Sequence, residues 1–238
     1  MCAEVAGRVE RTVLTIPQQP KPMAVRVYLP PCYSADHPGG YPALYLLHGL
    51  NFNEEQWERI GVAQAADELI HAGEVPPFLI VMPQEVYWRV PPADSNYIEV
   101  LLDAVVPWVE QTYAACADRY CRAVGGLSRG GGWALHLGVL HPDVFSAIGL
   151  HSPASFYGDT VRLPGWLKAI PQDLQPRIWL DYGRSDPEAL ESEALERLLA
   201  GADIPYQYYR NVGAHDEKYW SAHLEEYLRW YAAEWSLP

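Results

Sequence analysis

Residues 123–133 read AVGGLSRGGGW, an apolar run that breaks into glycines around one serine and then opens a helical pattern. Glycine loses the most backbone entropy on folding and costs about 1 kcal/mol relative to alanine inside a helix. A stretch that concentrates it is obliged to by geometry. Gly126-Leu127-Ser128-Arg129-Gly130 fits G-x-S-x-G, a sharp turn in which a strand feeds into a helix and lifts a serine above the sheet edge. Side chains at 126 and 130 would collide with neighbouring structure in such a turn. Three other Gly-rich turns compete. A phosphate loop would need a G-K-[ST] ending and a dinucleotide turn G-x-G-x-x-G, and neither is present. A βα turn that merely packs closely remains.

Outward from the serine the chain keeps one rhythm. VERTVLTI (9–16) and MAVRVYL (23–29) are short, β-branched and joined by a Pro-rich turn, which predicts an antiparallel opening pair. Buried-strand runs follow at 43–48, 78–83, 122–127, 145–151, 177–183 and 204–210, with helical spacing at 54–72, 95–114, 130–140, 187–200 and 216–235. Continuous apolar strands alternating with helices predict a mostly parallel sheet of about eight strands, covered on both faces. The fold class is α/β, a single domain over residues 1–238. Residues 152–176 are too few for a large lid and leave room for one or two small helices.

The 238 residues are 49% apolar and 20% charged, enough for a sizeable core. Seventeen basic against thirty acidic residues give −13, which repels nucleic acid and anionic membranes. No apolar run resembles a signal peptide or a membrane span, which points to the cytoplasm. Cys2, Cys32, Cys116 and Cys121 lack metal-ligand spacing. Cys116 and Cys121 stand close enough in sequence to pair, but a reducing compartment favours thiols buried in the core. No metal or cofactor is expected, and oligomeric state is not legible.

A serine hydroxyl needs a histidine to take its proton, and that histidine needs a carboxylate to fix its tautomer. In elbow-type sheets the chain order is serine, acid, histidine, on loops after later strands. DYGRSDPE (181–188) supplies Asp186 and NVGAHDEKYW (211–220) supplies His215. Asp186-Pro187 also reads as a helix start, although Ser185 and Glu188 form an S-x-x-E capping box that would serve instead. Asp181 is the competing acid, expected to be buried in hydrogen bonds. His215 outranks His151, which precedes the acid and would line the pocket, and His223, on the last helix. His136 and His141 are expected to be structural, as is His48, whose place before Gly49 suits a backbone-organising bond. The amides of Leu50 and Arg129 are the expected oxyanion donors. Phe52, Tyr87, Trp88 and Trp220 stand near strand ends and are expected to line an acyl or alcohol site, against a core role for each.

The stretches YPALYLLHG with Trp57 after it, PPFLIVMP, GGLSRGGGWAL, HPDVFSA, DYGRSD and GAHDEKYW together resemble the esterase D-type esterases of the α/β-hydrolase superfamily. Relatives there include feruloyl esterases, S-formylglutathione hydrolases, enterochelin esterases and mycolyltransferases. The resemblance spans roughly residues 20–235. It implies Ser128 as nucleophile, Asp186 as orienting acid, His215 as base, and Leu50 and Arg129 as oxyanion amides. Arg129 departs from the methionine that often follows the serine. The expected activity is hydrolysis of short-acyl or aromatic carboxylic esters through an acyl-enzyme. An acyltransferase using the same residues, or a binding protein on this fold, would be the alternatives.

Overall fold

The computed structural model describes residues 4–17 and 19–235. Eight strands form one sheet: β1 (Arg8–Leu14), β2 (Met23–Leu29), β3 (Ala43–Leu47), β4 (Leu79–Pro83), β5 (Arg122–Leu127), β6 (Ala147–His151), β7 (Arg177–Gly183) and β8 (Tyr206–Asn211). Their spatial order is β1-β2-β4-β3-β5-β6-β7-β8. β2 runs antiparallel to both β1 and β4, and the pairs from β4 onward are parallel. The predicted opening pair and α/β sheet are thus both present.

The continuous apolar runs have a direct cause. Side chains alternate across a strand, and both faces are covered. Tyr45, Leu47, Leu79 and Val81 enter one apolar cluster, while Leu44, Leu46, Ile80 and Met82 enter the other. The helices are α1 (Gln56–Arg59), α2 (Val62–His71), α3 (Tyr97–Val100), α4 (Val106–Thr112), α5 (Arg129–Leu140), α6 (Asp159–Ala169), α7 (Ala189–Ala200), α8 (Glu217–Ala222) and α9 (Leu224–Ala232). Residues of α2, α8 and α9 pack in the second cluster, and those of α3 to α7 in the first.

Two expected helices are divided. The 54–72 segment breaks at Gly61, whose φ of 100° is left-handed, and the 216–235 segment breaks at His223. Between α3 and α4 the chain makes a π-helical turn, Leu101–Val105, just before Pro107. Proline lacks an N–H and clashes with the carbonyl four residues back, so the ladder loosens there. The 152–176 connection holds the small α6, in keeping with the absence of a large lid.

One expectation is corrected. Cys116 and Cys121 are not buried thiols; they are partly exposed and joined by a disulfide, with Cα atoms 5.9 Å apart. Asp118 caps a 3₁₀ turn at Arg119–Cys121 that folds the chain back toward β5 and brings the two together. None of the described cysteines is free, and Cys2 lies outside the described residues. Among the described residues no helix is long and apolar enough to cross a membrane.

Candidate active site

β5 ends at Leu127 and α5 begins at Arg129, so Ser128 alone makes the turn, at φ 53° and ψ −121°. That backbone is costly for an L-residue, on the order of 1–3 kcal/mol, and persists only where its surroundings over-determine it. They do so here. The Ser128 N–H donates to the His151 carbonyl at 2.9 Å, and the Ser128 carbonyl accepts from the amides of Ala154 at 3.0 Å and Gly132 at 3.2 Å. A Cβ at Gly126 would overlap the Gly130 carbonyl, and one at Gly130 would overlap the Leu47 carbonyl. Glycine at 126 and 130 is therefore what allows β5, α5 and the end of β3 to converge.

Asp186 lies in the turn after β7, where its amide donates to the Gly183 carbonyl at 2.9 Å. One carboxylate oxygen accepts from the His215 Nδ1–H at 2.9 Å and the other from the Glu188 amide at 2.8 Å. α7 starts only at Ala189 with no side-chain cap, so the predicted capping box does not form. Burial pushes the Asp186 carboxyl up, but His215, the Glu188 amide and the nearby Ser152 hydroxyl hold it below the usual range. Ser152 Oγ acts there by proximity, without reaching full hydrogen-bond geometry. Burial likewise pushes His215 down; Asp186, Glu188 and Asp216 outweigh it and raise its pKa above the ordinary histidine value.

His215 and Ser128 open into one cavity of about 390 Å³, walled by Gly49, Leu50, Phe52, Gln56, Leu127, Asp216, Glu217 and Trp220. The Trp220 ring meets the His215 imidazole edge-on, with centroids 5.2 Å apart. Glu188 Oε2 stands 3.8 Å from His215 Nε2. Asp181, the competing acid, is fully buried and engages His151 instead. His151 is fully buried as well, so it does not line the pocket.

The loop after β3 abuts the serine: a Cβ on Gly49 would lie 3.6 Å from Ser128 Cβ. His48 is buried, its Nδ1 donating to the Gly49 carbonyl at 2.9 Å and its Nε2 accepting from the Glu85 amide at 2.8 Å. These two bonds require the neutral Nδ1–H tautomer, in keeping with burial lowering its pKa. The Gly49 amide donates to Gln56 Oε1 at 2.8 Å, and Gln56 Nε2 donates to Glu217 at 3.1 Å. Glu217 is also paired with Arg59. Gln56 and Glu217 thus tie the β3 loop to the His215 segment, a link the sequence reading missed because the partners stand far apart in the chain.

Of the expected aromatic residues, Phe52 and Trp220 reach this cavity, whereas Tyr87 and Trp88 are not among its walls. The Tyr87 hydroxyl instead accepts from the Lys21 amide at 3.0 Å. The Arg129 side chain turns away from the serine and forks onto Glu85, with Nε and Nη2 bonds of 2.7 and 2.6 Å. Glu85 is nearly fully buried and was not singled out in the sequence. His136 pairs with Asp159, and His223 with Glu226, as structural histidines would. Among the described residues no group of three or more His, Cys, Asp or Glu could hold a metal ion.

Residues 17–233 match the family model described as "Putative esterase". The chain belongs to this esterase family. An endo-1,4-beta-xylanase/feruloyl esterase of Xylanibacter ruminicola is 29% identical over 174 residues, 69% of this chain and 24% of that protein. The esterase-family chain therefore spans about a quarter of the length of that relative. The feruloyl esterase module of Clostridium thermocellum, solved with sinapinate, superposes with a TM-score of 0.85 at 18% identity, covering 100% of this chain and 92% of that one. S-formylglutathione hydrolase from Staphylococcus aureus superposes at 0.76 and 19% identity, covering 98% and 99%. At these identities the two structures establish the α/β-hydrolase-like fold.

Proposed function

We propose that the chain hydrolyses short-acyl or aromatic carboxylic esters through Ser128, His215 and Asp186. The observation that carries this reading is the bond from His215 Nδ1 to Asp186, which leaves Nε2 for the cavity that also holds Ser128. His215 takes the Ser128 proton through Nε2 as Oγ attacks the ester carbonyl. Asp186 keeps Nδ1 protonated and stabilises the imidazolium. The tetrahedral oxyanion is received by the amides of Leu50 and Arg129, backed by the N-terminus of α5. Collapse returns the proton from His215 to the leaving alcohol and leaves an acyl-serine. His215 then activates water, the ester bond to Ser128 breaks, and the carboxylic acid departs. No step calls for a metal or cofactor.

Phe52 and Trp220 give the cavity an aromatic wall suited to a short or planar group, which supports an aromatic or short-acyl preference. The disulfide favours an oxidising compartment over the cytoplasm. Turnover of a panel of aryl and alkyl esters, hydroxycinnamate esters included, tests the reading. Ser128→Ala is expected to lower turnover by about 10⁴- to 10⁶-fold; wild-type rates in that variant contradict it.

A further inference from the structure

We propose that Glu85 is a positioning residue that fixes the distance between the two amides receiving the oxyanion; this rests on the ester-hydrolysis reading above. Three loops meet at the carboxyl edge of the sheet: His48–Leu50 after β3, the segment after β4, and the turn at Ser128. Glu85 touches the other two from the middle one. Its backbone N–H donates to His48 Nε2 at 2.8 Å, and His48 Nδ1 donates to the carbonyl of Gly49, the residue before Leu50. Its carboxylate takes both prongs of the Arg129 guanidinium, at 2.7 and 2.6 Å. One residue thus holds the side chain of one candidate donor residue, Arg129, and, through His48, the residue before the other.

The grip is stiff at both ends. His48 is buried, so a change in its ring position disturbs packing rather than solvent. Arg129 is held along its length by the Val90 carbonyl at 3.3 Å and by the rings of Trp133 and Phe156, 5.6 and 5.7 Å away. Glu85 and Arg129 are almost inaccessible, with side chains 3% and 11% exposed. Taking such a pair out of water cancels much of its attraction, and apolar residues of similar volume often do as well for stability. What an apolar pair lacks is direction. The two-pronged bond sets the orientation of the Arg129 side chain, and so braces the peptide between residues 128 and 129 together with the Gly132 and Ala154 amides that hold its carbonyl.

Donors serve an oxyanion only at about 2.7–3.1 Å from where it forms, and a misplacement of about 1 Å can cost about 10²-fold in rate. Moving either amide should therefore weaken transition-state binding while leaving ground-state binding nearly intact. The test uses an aryl acetate for kcat and KM, and an aryl trifluoromethyl ketone, which adds to the serine and presents an oxyanion to the same amides. For Glu85→Gln the expected result is kcat lower by about 10- to 100-fold with KM within about threefold. Affinity for the ketone should fall by the same factor as kcat/KM. The double variant Glu85→Met/Arg129→Met removes both charges, guards against a misfolded single variant, and should keep the loss in ketone affinity while melting near the wild-type temperature. Recovery of wild-type kcat and ketone affinity in the double variant overturns the proposal, as does unchanged kcat in Glu85→Gln. A wild-type protein that neither turns over the ester nor binds the ketone contradicts the ester-hydrolysis reading instead.

Discussion

His151 Nδ1 meets Asp181 Oδ1 at 2.7 Å with both side chains wholly buried, so the molecule holds a fully enclosed histidine–aspartate pair besides the one that reaches the cavity. Asp181 also accepts from Trp179 Nε1 at 2.9 Å and from the hydroxyls of Tyr219 and Tyr227 at 2.6 Å each. Burial alone would push its carboxyl up; His151 and the two tyrosines hold it low. Tyr219 lies on α8 and Tyr227 on α9, so this carboxylate pins the last two helices to the sheet. The Tyr231 hydroxyl completes the network at His151 Nε2, 2.9 Å away. It fits there because Gly125 and Gly149 carry no Cβ to overlap it.

The two acids should respond oppositely to the same change. Asp181→Asn puts an amide where four donors converge, and is expected to cost about 3–5 kcal/mol of stability, as breaking a buried pair does. Asp186→Asn is expected to melt within a few degrees of wild type but to lose about 10⁴-fold in kcat. Thermal melts and ester kinetics on the two variants check this. Inactive but stable Asp181→Asn, with active Asp186→Asn, would reverse the assignment.

A base must be neutral to act, and the charges around His215 raise its pKa against the effect of burial. The acid limb of the kcat/KM profile should therefore lie above the ordinary histidine pKa of about 6.5. Glu188→Gln removes a negative charge 3.8 Å from Nε2, which should move that limb to lower pH and raise activity on the acid side. Glu188 is partly exposed, so the displacement should shrink as salt is added. A limb that stays put or moves upward would show that Glu188 does not act on the base.

The Cys116–Cys121 bond gives a direct chemical expectation. Denatured without reductant, neither cysteine should take up an alkylating reagent; after reduction both should. Peptide mass mapping reads this, and alkylation of either residue before reduction would restore the buried-thiol reading.

The strand-turn-helix at Ser128 was legible because its demands are local: the turn needs glycine at 126 and 130, and those residues stand beside the serine. Strand positions were legible for a related reason, since burial on both faces leaves no polar alternation to blur them. The meeting of Asp186 and His215, 2.9 Å apart, was foreseeable from their places on the loops after β7 and β8. Glu85, Gln56 and Glu217 were not. Each acts on a partner tens of residues away or more, and a lone acid or amide in a loop looks like any solvated residue until the fold closes. The fates of Tyr87 and Trp88 were hidden likewise, because position near a strand end says nothing of where a ring then turns. The disulfide was hidden because compartment alone argues for thiols, whereas the 3₁₀ turn that brings Cys116 and Cys121 together exists only in the fold.

Central to the account is that Ser128 carries the acyl group. Fluorophosphonates react with an activated serine and stop there, so peptide mapping after treatment reads the site directly. One adduct per chain is expected, on the peptide containing Ser128, formed in step with loss of ester turnover. An adduct on any other residue, or full loss of turnover with Ser128 unmodified, would contradict it.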